Sequence, residues 1–272
     1  MHLIKVLANL CLCIVAACHR DASSTRVSSA PTNSGIRFAL LQHSYWGGGI
    51  ERPLFLVFSD GTILFPSARS DGVPTQYSVI HATQNGVDSV LSAIGVDEQV
   101  RGLDSLYDFA PLTSDQHSFY LVLQEESRLR SVQVRSSFRD SVRLRAEVPA
   151  AFARVYSKVL NFAAPGARPW APDSIEVSIW PYEYAPDNPP VPWPPKWPEL
   201  ADPRWRRRSD EFVGEIRTIR LPFVEAASLD SLLHSRRERQ AVGIGGKKWA
   251  VDYRWVFPHD SSWMFVRKRL ES

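Results

Sequence analysis

Twelve of the chain's 20 prolines fall between Pro165 and Pro203, together with Trp170, Trp180, Trp193 and Trp197, and this stretch limits the fold more than any other. A proline fixes φ at about −65° and carries no backbone donor, so it cannot sit inside a helix or in the middle of a central strand. The run Pro189–Pro198, reading PPVPWPPKWP, is therefore expected as an extended polyproline-II strip. Other regular structure must gather on either side, in residues 36–164 and 211–272, with 165–210 as a Pro/Trp-rich connector. Within that connector Ile175, Val177 and Ile179 alternate with Glu176 and Ser178, the pattern of a strand with one buried face.

Before the connector, Ile36–Gln42 reads as a first strand. Leu54–Phe58 and Thr62–Phe65 flank Asp60-Gly61, which suits a type I′ turn and predicts a hairpin. Thr75–Ala82 is another expected strand, followed by a short amphipathic helix over Asn85–Gly95. There Val87, Val90, Leu91 and Ile94 form one stripe, Asn85 can cap and Gly95 stops the helix. Residues 97–115 are acidic and irregular, without the close spacing of a calcium loop. Ser118–Gln124 and Leu129–Arg135 form a second hairpin. In Glu147–Phe162, apolar residues recur at three- and four-residue steps from Val148 to Phe162, predicting the strongest helix.

After the connector, Val213–Leu221 reads as a strand and Pro222–His234 as a helix. Ala241–Ile244 and Lys247–Phe257 pair across Gly245-Gly246, and Trp249, Val251, Tyr253, Trp255 and Phe257 give the second arm one strongly aromatic face. Residues 77–135 and 215–257 thus share the order strand, helix, hairpin. The expected class is α+β, antiparallel sheets with helices on one face, and the shared order suggests two related halves.

All three cysteines lie at or before position 18, so the body has no disulfide and no thiolate metal site. The first of them belong to a leader. Lys5 precedes a ten-residue, mostly apolar run, Val6–Val15, about half the length needed to span a bilayer, and Val15-Ala16-Ala17-Cys18 closes it. This segment resembles the signal peptides of bacterial lipoproteins, whose lipobox is a hydrophobic residue, two small residues and a cysteine; Val15, Ala16, Ala17 and Cys18 match each position. The resemblance implies removal of residues 1–17, diacylglycerol on the Cys18 thiol, and a mature chain beginning at lipidated Cys18. It also implies the cell envelope as location, on the outer membrane where the host has two. Several acyl chains hold a protein firmly to a bilayer, whereas a single one does so marginally. Residues 18–35, rich in Ser, Thr and Ala, then read as a flexible tether with a reach on the order of 20 Å.

Motifs for chemistry are sparse. No G-x-S-x-G window marks a nucleophile elbow, and the histidines are scattered singly, without the paired spacing of a zinc site. Gly243–Lys248 contains glycines followed by lysine, but Ala241 and Lys248 stand where a phosphate loop needs Gly and Ser or Thr. Glu183 and Asp187 beside Trp180, Tyr182 and Tyr184 are the acids best placed to meet a sugar. Basic groups at Arg204 and Arg206–Arg208, at Arg236, Arg237 and Arg239, and at Arg267–Arg269 could face anionic headgroups. A net charge of +3 gives no argument for nucleic acid. Trp193 and Trp197 on the pre-extended strip are the candidate partner-binding residues. The DGT hairpin and the WPPKWP strip are similar to uncharacterised exported bacterial proteins. The expectation is a lipid-anchored envelope protein that binds or scaffolds an envelope protein or polysaccharide, with no metal or other cofactor. A surface hydrolase acting on a polymer or peptide is the rival.

Overall fold

The computed structural model describes residues 35–44, 50–70, 73–109, 118–125, 128–135, 147–210 and 214–259. The lipobox, nearly all of the tether and Arg267–Arg269 lie outside the described residues. The class is α+β: two largely antiparallel sheets, each with helical segments packed on one face.

The first sheet has eight strands: β1 (Ile36–Ser44), β2 (Ile50–Phe58), β3 (Thr62–Ser70), β4 (Val73–His81), β5 (Leu106–Asp108), β6 (Ser118–Glu125), β7 (Arg128–Arg135) and β8 (Arg168–Trp170). They are ordered β5-β7-β6-β1-β2-β3-β4-β8, with only β5 and β7 parallel. Helices α1 (Gln84–Ala93), α2 (Glu98–Arg101) and α3 (Ala150–Leu160) cover one face, where Val87, Leu91, Phe152, Val155 and Val159 meet Phe38, Phe55, Phe119 and Leu121. The opposite face, with Ala39, Leu41, Leu56, Tyr120 and Val122, is also buried. Strands covered on both sides must be apolar at consecutive positions, which is why LFLVF and FYLVL show no alternation.

The second sheet comprises β9 (Ser174–Pro181), β10 (Val191–Pro192), β11 (Arg206–Asp210), β12 (Gly214–Pro222), β13 (Val242–Ile244) and β14 (Lys247–Trp255), ordered β10-β13-β14-β9-β12-β11. A 3₁₀ turn, Phe223–Glu225, leads into α4 (Ala226–Ser235), and Leu229 packs onto the face made by Ile175, Val177, Ile179, Ile219, Trp249 and Val251. Residues 165–210 are woven into both sheets. Segment β8 pairs with β4 in the first, whereas β9, β10 and β11 belong to the second. The sheets meet through aromatic rings: Tyr77 lies 5.2 Å from Trp255 and 5.0 Å from Phe257, and Trp170 lies 5.1 Å from Phe257.

Two local expectations change. The first hairpin turns through three residues, Ser59–Gly61, and only Gly61 has positive φ (89°), so it is not a type I′ turn. The Asp60 carboxylate instead accepts from the Thr62 amide at 2.9 Å and the Thr62 hydroxyl at 3.0 Å, favouring the longer loop. Gly245 and Gly246, at 57° and 73°, do make the two-residue turn with both φ positive. Thr83, not Asn85, caps α1, its hydroxyl accepting from Gly86. The strand–helix–hairpin order recurs in both halves, yet three strands separate β4 from β6 while one separates β12 from β14.

Candidate functional site

The strip that carries Trp193 and Trp197 is packed onto its own domain. Trp197 is 4% exposed and Trp193 is half-buried, with ring centres 4.9 Å apart in a T-shaped pair. Trp193 Nε1 donates to the Pro198 carbonyl at 3.1 Å. Trp197 Nε1 donates to Glu225 Oε2 at 2.9 Å, and Lys196 Nζ reaches the same oxygen at 2.6 Å. Those two bonds, Lys196 first, hold the Glu225 carboxyl below its ordinary range. The tryptophans therefore anchor the strip and do not form an exposed aromatic face.

The strip in turn positions a neighbouring cleft. Val191 and Trp193 donate to the carbonyls of Ala241 and Gly243, and Gln240 Nε2 donates to the Pro189 carbonyl at 2.5 Å. These bonds fix the turn Arg237–Gln240, which Gln240 N–H closes onto Arg237 O at 3.0 Å and Gln240 Oε1 braces by accepting from the Arg237 amide. Opposite the turn, β13 covers β14 only as far as Trp249, and among the described residues no other strand pairs with the rest of that edge. The bonds Tyr182 N–H to Lys248 O and Val256 N–H to Ser174 O assign the even-numbered backbone groups of β14 to β9. The odd-numbered groups of Val251, Tyr253 and Trp255 consequently point toward the open edge. Asp252 Oδ1 answers one of them, accepting from the Tyr253 amide at 2.7 Å.

A cleft of about 460 Å³ fills this gap, lined by Trp180 and Tyr182, by Ala250 and Asp252 of β14, and by Arg236–Gln240. Trp180 and Ala250 are direct cross-strand partners, which brings the end of β9 under the turn. Three guanidinium groups face two carboxylates. Glu238 is 91% exposed and paired only loosely with Arg239, at 3.8 Å. Asp252 keeps 34% of its side chain open while protein crowds its other sides, and that desolvation pushes its carboxyl up despite Arg52 at 3.8 Å and Arg236 nearby. Burial pulls the half-buried Arg236 guanidinium down, opposed by Asp252 and Tyr182, though arginine stays charged at neutral pH. Among the described residues Arg236 makes one weak side-chain bond, Nε to Leu233 O at 3.4 Å, and the Arg237 guanidinium makes none. Four Nη–H donors of Arg236 are thus left for a ligand.

Arg239 adopts φ of 58°, a conformation that costs an L-residue on the order of 1 kcal/mol relative to glycine. An arginine is held at a position where glycine would fold more easily. On the helix side, Tyr253 donates its hydroxyl to Asp230 of α4 at 2.6 Å, and burial followed by that carboxylate pushes its ionisation up.

Of the other residues singled out by sequence, Glu183 and Asp187 are exposed, with Asp187 3.7 Å from Lys248. Trp180 and Tyr182 of the same group enter the cleft, as do Arg236, Arg237 and Arg239. Asp252 carried no sequence signal beyond its place in an alternating strand. No group of three or more metal-binding side chains occurs among the described residues, and no helix among them is long and apolar enough to cross a membrane. Comparison with protein-family models, curated proteins and solved structures finds no significant match.

Proposed function

We propose that this chain is a lipid-anchored protein of the bacterial cell envelope, on the outer membrane where the host has two, whose folded body binds an envelope polysaccharide or protein. The observation that carries the reading is the apolar run closed by Val15-Ala16-Ala17-Cys18. Acyl chains on Cys18 would hold the body at the bilayer through the tether. Binding is supported by the cleft beside β14, whose 460 Å³ lies within the range of about 300–1,000 Å³ typical of small-ligand sites. Trp193 and Trp197 serve that site from behind, through the strip that bonds to the turn.

Growth with alkyne-tagged palmitate tests the anchor: the full chain should take up label and fractionate with membranes, and Cys18→Ser should do neither. An unlabelled chain whose Cys18→Ser form fractionates like the parent would overturn it. A surface hydrolase is the second reading, favoured by Asp252, an acid held toward its neutral form at the cleft and so able to donate a proton. Turnover of an envelope polymer that is abolished by Asp252→Asn, with binding retained, would replace the first reading by the second.

A further inference from the structure

We propose that the cleft between Trp180, Tyr182 and the Arg236–Gln240 turn binds an acidic saccharide, an acid group lying against Arg236, Arg237 and Arg239 and a sugar ring against the aromatic side chains. The inference rests on the binding half of the reading above and is independent of the anchor.

The charge argument begins with unclaimed donors. The Arg236 fork is half-buried and uses one weak bond, while Arg237 has no side-chain partner among the described residues. A planar guanidinium with its donors free matches a carboxylate bidentately. The two acids in the lining offset this charge only in part: Glu238 is 91% exposed and 3.8 Å from Arg239, and Asp252 acts on Arg236 while also accepting from Tyr253 N–H and lying 3.8 Å from Arg52, so three guanidinium groups still outnumber two carboxylates. Arg239 completes the trio from a backbone position of positive φ, where its side chain is 71% exposed and within reach of a ligand in the cleft.

The ring argument comes from the other side of the cleft. Trp180 and Tyr182 are half-buried and line the same space as the arginines, offering flat apolar surface with polar tips, which suits the C–H face of a pyranose. An acidic peptide is the poorer fit. It would bind by adding a strand to the open β14 edge, but the Tyr253 amide, a donor that strand would need, is already taken by Asp252.

The test uses the full chain in detergent and titration calorimetry with tetragalacturonate, the neutral tetragalactose of matching ring size, and short polyglutamate. Tetragalacturonate should bind measurably by 1 mM and weaken several-fold between roughly 50 and 500 mM salt. Neutral tetragalactose and polyglutamate should each bind at least tenfold more weakly. Arg237→Ala, at an exposed position, should lower affinity about tenfold, and Trp180→Ala about fivefold. Arg239→Gly carries the sharpest signature, since it should weaken binding while raising the melting temperature. Equal binding of the neutral oligomer overturns the role of charge. Equal binding of polyglutamate unaffected by Trp180→Ala overturns the saccharide. No binding of tetragalacturonate by 5 mM overturns the site, and it leaves palmitate labelling and Cys18 fractionation untouched as the separate test of the anchor.

Discussion

Gly61 offers the most sharply defined perturbation in this fold. It closes the Ser59–Gly61 loop at φ 89°, and a Cβ built there would overlap the Ala82 carbonyl oxygen and come within 3.1 Å of the carbonyl carbon. Gly61→Ala therefore carries three costs. The left-handed backbone costs an L-residue about 1–2 kcal/mol. Displacing Ala82 breaks its 2.9 Å amide bond to the Gly61 carbonyl, worth about 1 kcal/mol net. The shift also disturbs Thr83, whose hydroxyl caps α1 at 3.2 Å, for up to about 1 kcal/mol more. The total is roughly 2–4 kcal/mol, or about 4–16 °C in melting temperature for a chain of this size. Gly245→Ala is the internal control, because its φ of 57° imposes the backbone cost while nothing lies within 4 Å of the added methyl. It should lose only about 1–2 kcal/mol. Circular-dichroism melts and urea titrations of both variants give the comparison. Equal losses for the two would mean that the close approach of the hairpin loop to Ala82 is wrong, and with it the link between that loop and the start of α1.

Two further positions bear on the second sheet. Trp197→Ala should lose about 3–5 kcal/mol in urea unfolding, as expected for a buried indole, and Trp197→Phe a smaller amount for the bond to Glu225. A loss below about 1 kcal/mol for Trp197→Ala would return that ring to the surface as a contact residue. The Asp252 carboxyl is pushed up by burial, so the native state keeps its proton longer than the unfolded chain as pH rises. Stability is then lost as pH climbs from the unfolded value of about 3.9 through the raised folded one, and the loss persists at neutral pH. Asp252→Asn, which can still accept the Tyr253 amide, should melt above the parent at pH 7 and level with it below about pH 4. A gap that stays constant with pH would remove burial of the charge as its cause.

The strands and helices were legible where a single face is buried or a run is continuous. The stripe Val87, Val90, Leu91, Ile94 and the alternation from Trp249 to Trp255 both predict the face that the fold buries. Turn details were less legible, because a side chain decides them: Asp60 bonds Thr62 and lengthens a loop that Asp-Gly alone would make shorter. The cleft was legible only in parts. Trp180 with Tyr182 and Arg236 with Arg237 and Arg239 were each visible as local groups, but they lie more than 50 residues apart in the chain. The pairing of Ala250 with Trp180 unites them, and no local pattern encodes a long-range register. The positive φ of Arg239 is likewise invisible in sequence, where glycine would be the usual sign.

The prolines that first limited the fold also complete it. Along Pro190-Val191-Pro192-Trp193-Pro194, Val191 and Trp193 turn their amides inward to the carbonyls of Ala241 and Gly243. In an extended strip successive amides point to opposite sides, so the outward positions fall on Pro190, Pro192 and Pro194, which have no amide to offer. The outer edge of the second sheet thus presents carbonyls without donors, and a further strand cannot complete a ladder there. The polyproline strip acts as a seam: it closes the sheet, fixes the Arg237–Gln240 turn through Pro189, and borders the arginine-lined gap beside β14. Proline spacing and arginine cleft are consequences of one arrangement, in which an edge strand that cannot be extended holds in place the turn that lines the cleft.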